Sequence, residues 1–224
     1  MNEYEILQLL VTDHKKTLID VGCHRAHFLG NSGINFDYKI GIDPLKFDEQ
    51  AVYDVVINGA VSTQISKKLF YIHENEGCSS LLKMKSDEVT HDFTERKNKW
   101  YVSFKIQGLR NIITTQTYSL EKIIDEHMPD DQVSLIKIDA QGSDIDVVQS
   151  LGRYLNTDKV KYLFIELPSR DIVLYNDQLD YQSSIQKLDE FGFELVHKHD
   201  YEIFGYDGKL CSPESNVIMK NKLL

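Results

Sequence analysis

Three acidic residues stand at or near the ends of apolar runs, where α/β proteins often place chemistry. They are Asp20, Asp43 and Asp139. The carboxyl ends of neighbouring parallel strands meet at one edge of a sheet, and nucleotide-like cofactors bind there. Gly22 follows the first run, and without a Cβ its backbone lets a ligand approach closely. Asp43 comes about 20 residues later, the offset expected for a carboxylate that accepts two ribose hydroxyls. The spacing predicts a cofactor site.

The residues after Gly22 indicate which cofactor fits. A dinucleotide site needs the glycines of G-x-G-x-x-G, which allow the backbone to contact a pyrophosphate. Here Cys23, His24, Arg25 and Ala26 follow Gly22 instead. S-adenosylmethionine (SAM) carries no phosphate and tolerates this departure. The pattern therefore favours SAM, and the missing glycines disfavour an NAD-dependent oxidoreductase, which is kept as an alternative.

The elements that must position these residues alternate between strand and helix, so the sequence predicts an α/β domain. The predicted parallel strands are apolar throughout, as buried strands are, and the two last strands are predicted as an antiparallel pair. The strands are expected over 17–21, 38–42, 53–61, 68–72, 100–104, 133–139, 160–166, 194–197 and 216–219. Helices are expected over 3–10, 25–31, 143–156 and 182–190, with another that opens at the N-cap Ser119.

Composition limits the partners. The 224 residues are 42% hydrophobic and 27% charged, with a formal net charge of −10. That length suits one domain. An acidic chain has no surplus of cations to neutralise a phosphate backbone, so no nucleic-acid partner is expected and an RNA methyltransferase is disfavoured.

The three cysteines are few and far apart, which fits neither a zinc site nor a disulfide framework. The acidic start of the chain does not resemble a signal peptide, and no apolar run is long enough to cross a membrane. We therefore expect a protein of a reducing compartment, the cytoplasm, without a membrane partner. A homo-oligomer stays open, because the aromatic middle strands would suit a partner subunit or a lid.

Several short segments match one known family. They are Asp20-Val21-Gly22-Cys23-His24-Arg25-Ala26-His27-Phe28, Ile42-Asp43-Pro44, Ile57-Asn58-Gly59-Ala60-Val61-Ser62, Gly77-Cys78-Ser79-Ser80-Leu81, Thr117-Tyr118-Ser119-Leu120 and Ile136-Lys137-Ile138-Asp139-Ala140-Gln141-Gly142-Ser143-Asp144. On these segments the chain resembles the FkbM-type methyltransferases, from about residue 15 to the C-terminus. Ala26 stands where that family has glycine, and His24 stands where it often has asparagine.

The resemblance implies a Rossmann-like class I methyltransferase fold. That fold has a seven-stranded, mostly parallel sheet with a C-terminal antiparallel strand pair and helices on both faces. It implies a single domain over 1–224, in which residues 64–118 carry extra strands and a substrate loop. It also implies SAM-dependent methyl transfer to an oxygen, often on a sugar or glycan. The positions that match the cofactor site are Asp20, Gly22, His24, Arg25, Asp43, Pro44, Ala60, Val61 and Asp139.

Methyl transfer to a hydroxyl needs a group that removes the proton. Asp139, at the end of its strand, is the first candidate, and Glu166 ends the next strand at the same edge. His73 is a third candidate because histidine titrates near neutral pH. Asp139 and Glu166 would also suit a divalent cation such as Mg²⁺. Leu167 follows Glu166 where metal-dependent enzymes place a further ligand, so the metal stays open.

The substrate side is predicted from the same loops. Ser79 and Ser80 would contact the acceptor, as would Glu166, and Tyr175 would stack on a sugar ring. Two further alternatives stay open. One is an O-methyltransferase of a non-sugar metabolite. The other is a non-catalytic module that binds SAM or a partner protein through the polar segment 83–98.

Overall fold

The computed structural model describes residues 1–85, 108–168, 173–200 and 214–224. Ten strands lie in this part of the chain. They are β1 (Thr17–Val21), β2 (Tyr38–Asp43), β3 (Val55–Asn58), β4 (Ala60–Val61), β5 (Lys67–His73), β6 (Leu109–Tyr118), β7 (Val133–Ile138), β8 (Val160–Pro168), β9 (Phe193–Asp200) and β10 (Glu214–Asn221).

Seven of the strands form one sheet in the order β3-β2-β1-β7-β8-β10-β9. The five strands β3, β2, β1, β7 and β8 pair in parallel with their neighbours in the sheet. Strand β10 runs antiparallel between β8 and β9. The strand order reverses between β1 and β7, and such a reversal leaves a crevice at the carboxyl ends of the central strands. The predicted seven-stranded sheet with its C-terminal antiparallel pair is confirmed.

Helices cover both faces of this sheet, as predicted. The helices α1 (Glu3–Leu10) and α2 (His27–Ser32) pack on one face. The helices α3 (Leu120–His127), α4 (Asp144–Gln149) and α5 (Tyr181–Glu190) pack on the other. The hydroxyl of Ser119 accepts a hydrogen bond from the Lys122 N–H, so its predicted role as the N-cap of α3 is confirmed. Among the described residues, every helix is too short or too polar to cross a lipid bilayer.

The third predicted strand, 53–61, is wrong as one element because the chain changes sheets at Gly59. Residues up to Asn58 pair with β2, whereas β4 pairs in parallel with β6, which also pairs with β5. A Cβ on Gly59 would lie 2.6 Å from the carbonyl oxygen of Gln116. The small three-stranded sheet thereby reaches the carboxyl ends of the main sheet and forms one side of the crevice.

Sequence reasoning missed one strand and made one helix too long. The missed strand is β6, although its run of isoleucines and threonines is typical of a strand. The helix expected over 143–156 ends at Gln149, and a 3-10 turn at Gly152–Tyr154 follows. The strand 100–104, residues 86–98 of the polar segment and the loop at 201–213 lie outside the described residues. Residues 83–85 pair with 174–176 through backbone hydrogen bonds.

Candidate active site

A cavity of about 240 Å³ opens at the carboxyl ends of β1, β2 and β7, the position expected from the strand order. Nine of the predicted site residues lie on its walls: Gly22, His24, Asp43, Pro44, Ala60, Val61, Ser79, Asp139 and Glu166. The other five lie behind or beside the lining: Asp20, Arg25, His73, Ser80 and Tyr175.

Gly22 allows three strand ends to meet. Its φ of +71° lies in the left-handed region, and a Cβ there would lie 2.0 Å from the carbonyl oxygen of Asp139. The Gly22 N–H donates to the Ile42 carbonyl at 2.9 Å, and the Asp139 N–H donates to the Val21 carbonyl at 3.1 Å. The glycine is therefore required by the contact between β1 and β7, in addition to any role beside a ligand.

Asp43 is held in place on the cavity wall by the backbone. Its carboxylate oxygens accept hydrogen bonds from the N–H groups of His24 at 2.9 Å and Leu45 at 2.8 Å. Burial raises the pKa of Asp43 to about 6, and these hydrogen bonds oppose the rise. Each carboxylate oxygen accepts more than one hydrogen bond, so Asp43 keeps acceptor capacity for hydroxyl groups.

Asp20 is fully buried beneath the cavity, where it is part of an internal charge network. The hydroxyl of Tyr53 donates to its Oδ2 at 2.5 Å, and the Lys137 ammonium lies 3.2 Å from its Oδ1. The ammonium also donates to the Gly22 carbonyl at 2.7 Å and lies 3.6 Å from Asp139. Burial raises the pKa of Asp20, against the attraction of Lys137. The predicted cofactor contact of Asp20 stays a prediction.

Gln141 joins the two predicted catalytic carboxylates. Its Nε2 donates to Asp139 at 2.8 Å and to Glu166 at 3.0 Å. Its Oε1 accepts from the Tyr175 hydroxyl at 2.7 Å, and its carbonyl accepts from the Ser80 hydroxyl at 2.6 Å. Ser80 and Tyr175, which are predicted to contact substrate, thus support the amide that bridges Asp139 and Glu166.

More carboxyl groups surround this pair. Burial raises the pKa of Glu166, and the negative charges of Glu214 and Asp139 raise it further. Burial likewise raises the pKa of Glu214 to about 8. Asp144 accepts hydrogen bonds from the N–H groups of Ala140 at 2.7 Å and Gly142 at 3.0 Å, which fixes the loop after β7.

The histidine and arginine candidates lie further from the chemistry. His73 is buried at the end of β5, and its N–H donates to the Ser79 hydroxyl at 3.2 Å. Arg25 lies 3.1 Å from Glu49 and 3.6 Å from Glu76, so its charge already has two partners. Their predicted roles as base and as cofactor ligand stay predictions.

Two residues of the loop after Gly22 adopt left-handed backbone conformations, His24 with φ of 42° and Ala26 with φ of 57°. This geometry explains why a glycine would suit position 26. The His24 ring packs against Phe47, and within the described residues its buried Nε2 has no hydrogen-bond partner. An orphaned ring nitrogen on the cavity wall is a position that a polar ligand group would satisfy.

Sequence reasoning missed several residues of the site. Lys137 and Gln141 belong to the segment that carries the resemblance, so their positions could have signalled a role. Tyr4 of α1 and Asn31 also line the cavity, and no sequence pattern connects them to it. In the part of the chain that the structure describes, no group of three His, Cys, Asp or Glu side chains is arranged to hold a metal ion.

The strand order, the glycine turn and the acid at the end of β2 are those of the class I methyltransferase fold. The model of the FkbM methyltransferase domain matches residues 20–195, well over half of the chain. The chain therefore belongs to the FkbM methyltransferase family. A comparison with curated protein sequences found no match.

Several solved structures match this chain over most of its length. A Listeria monocytogenes protein described as a SAM-dependent methyltransferase has 11% identity and a TM-score of 0.47, with 98% of this chain and 97% of that chain covered. An Archaeoglobus fulgidus SAM-dependent methyltransferase has 12% identity and a TM-score of 0.43, covering 97% and 92%. The Burkholderia thailandensis 1,6-didemethyltoxoflavin-N1-methyltransferase, solved with S-adenosylhomocysteine, has 8% identity and a TM-score of 0.43, covering 97% and 76%. The family assignment rests on the family model, because these TM-scores are below 0.5.

The cavity fits the family's cofactor. Asp43 offers acceptor oxygens for ribose hydroxyls, and the buried Nε2 of His24 lacks a partner among the described residues. Lys137 is the single lysine or arginine among the described wall residues, and it is already paired with Asp20 and Asp139. A phosphate-free cofactor suits walls of this charge.

Proposed function

We propose that this protein transfers a methyl group from SAM to a hydroxyl of a sugar or glycan. The observation that carries the proposal is the pair Asp139 and Glu166 on the cavity wall, joined by the Gln141 amide at 2.8 and 3.0 Å. Carboxylates accept hydrogen bonds from hydroxyl groups, and a saccharide presents several hydroxyls side by side. The family resemblance supports the same acceptor class.

Asp139 and Glu166 have different roles in the proposed reaction. SAM, when bound, supplies the electrophilic methyl group. Asp139, with Lys137 3.6 Å away as its counter-ion, accepts the proton from the attacking hydroxyl. The raised pKa of Glu166 lets it keep a proton and donate a hydrogen bond to a neighbouring saccharide oxygen. Gln141 holds both groups in the orientation that this division requires.

Cofactor binding is tested first, by calorimetry with S-adenosylhomocysteine. We expect the wild-type protein to bind and Asp43→Ala to bind at least tenfold more weakly, because the variant loses charged acceptors on the cavity wall. Asp43→Asn is measured as well, since it keeps a side chain that can accept the His24 N–H. Asp48→Ala removes an exposed acid from the following loop and is expected to bind like the wild type. No binding by the wild type would contradict the proposal.

The acceptor is tested by transfer of labelled methyl groups to a panel of defined saccharides, with catechols and amines as competing acceptors. We expect O-methylated saccharides, and a loss of about 10²- to 10⁴-fold in Asp139→Asn. Asp130→Asn, an exposed acid in the loop before β7, is the matched control. Each reaction is run with and without EDTA to test the divalent cation. If only amines or non-sugar metabolites are methylated, the proposal of a saccharide acceptor is wrong. SAM binding without turnover on any acceptor would favour the binding module.

A further inference from the structure

The charges on the cavity walls narrow the class of acceptor further than the requirement for a hydroxyl group does. We infer that the acceptor is an electrically neutral saccharide, such as a finished glycoside, and that it carries no phosphate on its anomeric carbon. The inference rests on the proposed function and adds the charge class of the acceptor. It separates glycosides from nucleoside diphosphate sugars and sugar phosphates, which present the same hydroxyls.

Carboxyl groups outnumber cations on the described walls. Asp43, Glu76 and Asp139 lie there together with Glu166, which keeps its proton under the proposed function, against Lys137 as the one lysine or arginine in the described lining. Two histidines, His24 and His27, also line the cavity. Burial lowers the pKa of His24, and the charges of His27 and Arg25 lower it further, which favours the neutral form of His24.

Lys137 is not available to an anionic ligand. Its ammonium lies 3.2 Å from Asp20 and 3.6 Å from Asp139, and it donates to the Gly22 carbonyl at 2.7 Å. The ammonium thus donates to a backbone carbonyl, and the two nearby carboxylates balance its charge.

The next cations along the rim are also engaged. Arg25 lies 3.6 Å from Glu76 and 3.1 Å from Glu49, and Arg110 lies 2.9 Å from Glu76. The Arg25 guanidinium lies over the Phe47 ring, 4.5 Å from its centroid. Recruiting either arginine to a phosphate would remove one of the two cations that balance Glu76.

Further acid lies behind the wall. Asp144 is buried at the start of α4, and Glu214 starts the strand beside β8. Burial raises the pKa of Asp144 to about 7 and that of Glu214 to about 8, so near neutral pH these groups add little negative charge and no positive charge. By sequence, residues 86–107 and 169–172 each contain as many acidic as basic residues, and 201–213 contains one more acid than base. Summed over these three segments, the formal charge is −1.

A phosphate on the anomeric carbon would feel this field. The oxygen that carries this phosphate is bonded to the same sugar ring as the reacting hydroxyl. The phosphate therefore lies within about one Debye length of Asp139, roughly 8 Å at physiological salt. Salt screens charges poorly over that distance, and like charges around a bound anion reduce its affinity. A glycoside presents the same hydroxyls without this repulsion. Glycosyl transfer is therefore the class of reaction that must supply the acceptor, after the nucleotide has been released.

The experiment compares three acceptors that share one sugar: its methyl glycoside, its 1-phosphate and its nucleoside diphosphate form. We expect kcat/KM to be at least tenfold higher for the glycoside, and the ratio to shrink as sodium chloride is added. An equal or higher value for the nucleoside diphosphate sugar would overturn this inference and leave the proposed function supported. No methylation of any saccharide would overturn the proposed function, and this inference with it.

A charge-reversed variant separates the cavity field from the net charge of the protein. Glu76→Lys places a cation on the wall and frees Arg25 and Arg110, so we expect the preference for the glycoside to fall at least threefold. Glu126→Lys makes the same change in net charge on an exposed position of α3 and should keep the wild-type preference. Equal preferences in the two variants would count against the inference.

Discussion

At the scale of residues, the site depends on one neutral side chain between two acids. Gln141 has a left-handed backbone, φ of 50°, and its carbonyl is held by the Ser80 hydroxyl. Its amide donates to Asp139 and Glu166 at once. Negative charge on both groups at once would be repulsive, and an amide that donates to both stabilises them without adding charge.

Replacing the bridge with a third acid tests this role. In Gln141→Glu we expect kcat to fall about 10- to 100-fold, because Asp139 loses a hydrogen bond and gains a like charge. The acid limb of the pH–rate profile should move to higher pH, since an extra negative charge favours the protonated forms. Gln182→Glu, on the exposed first turn of α5, controls for the same chemical change. An unchanged profile with reduced activity would indicate a purely structural role for Gln141.

Sequence reasoning placed Asp43 and Asp139 near the cavity because each follows a buried strand at its carboxyl end. The same reasoning could not separate Asp20 from them. Asp20 lies inside its strand, and which face it occupies depends on Tyr53 and Lys137, which arrive from other elements. Glu214 joins the acids through the antiparallel pairing of β10 with β8, a contact that no local pattern predicts.

At the scale of elements, the junction of β1, β2 and β7 is the most constrained part of the fold. The turn after β1 bonds to the end of β2, and the end of β7 bonds back to β1. Gly22 sits where the backbones meet, so this junction is set by packing before any ligand binds.

Adding a methyl group to this junction should be costly. We expect Gly22→Ala to lower the free energy of unfolding by about 2–4 kcal/mol, through left-handed strain and the overlap with the Asp139 carbonyl. Gly30→Ala is the matched control, because Gly30 lies in α2 and nothing is within 4 Å of its added Cβ. The control should be neutral or stabilising by about 0.5–1 kcal/mol. Urea denaturation measures both, and equal stability of the two variants would refute this account of the junction.

The helices and central strands were predictable because their apolar periodicity is strong and local. The change of sheets at Gly59 was not, because Val55–Asn58 and Ala60–Val61 read as one apolar run. Which of them pairs with β2 and which with β6 depends on the space that Gln116 and Tyr118 leave at the glycine. The same dependence on distant partners hides β6, whose first half is exposed.

At the scale of the whole molecule, the acidic net charge and the buried acids act together. The chain carries a formal charge of −10, and several of its carboxyl groups are buried around one cavity. Because these carboxyl groups would repel one another when ionised, some of them keep their protons in the folded state. Because buried acids have raised pKa values, the free energy of unfolding depends on pH.

The pKa values of two buried acids set the direction of this dependence. Burial raises the pKa of Asp43 to about 6 and that of Glu214 to about 8, whereas both groups have values near 4 when unfolded. Between about pH 4 and 8 the folded protein therefore binds protons that the unfolded chain releases, so the free energy of unfolding falls as pH rises.

We expect the melting temperature to drop by roughly 5 °C from pH 5.5 to pH 8, which corresponds to about 2 kcal/mol for a chain of this size. Glu214→Gln should flatten the profile, because it removes the group with the higher raised pKa, while Glu126→Gln on the exposed face of α3 should keep the wild-type slope. Differential scanning fluorimetry measures all three proteins. A melting temperature that rises over this range would mean that the buried acids are ionised and stabilised in the folded state.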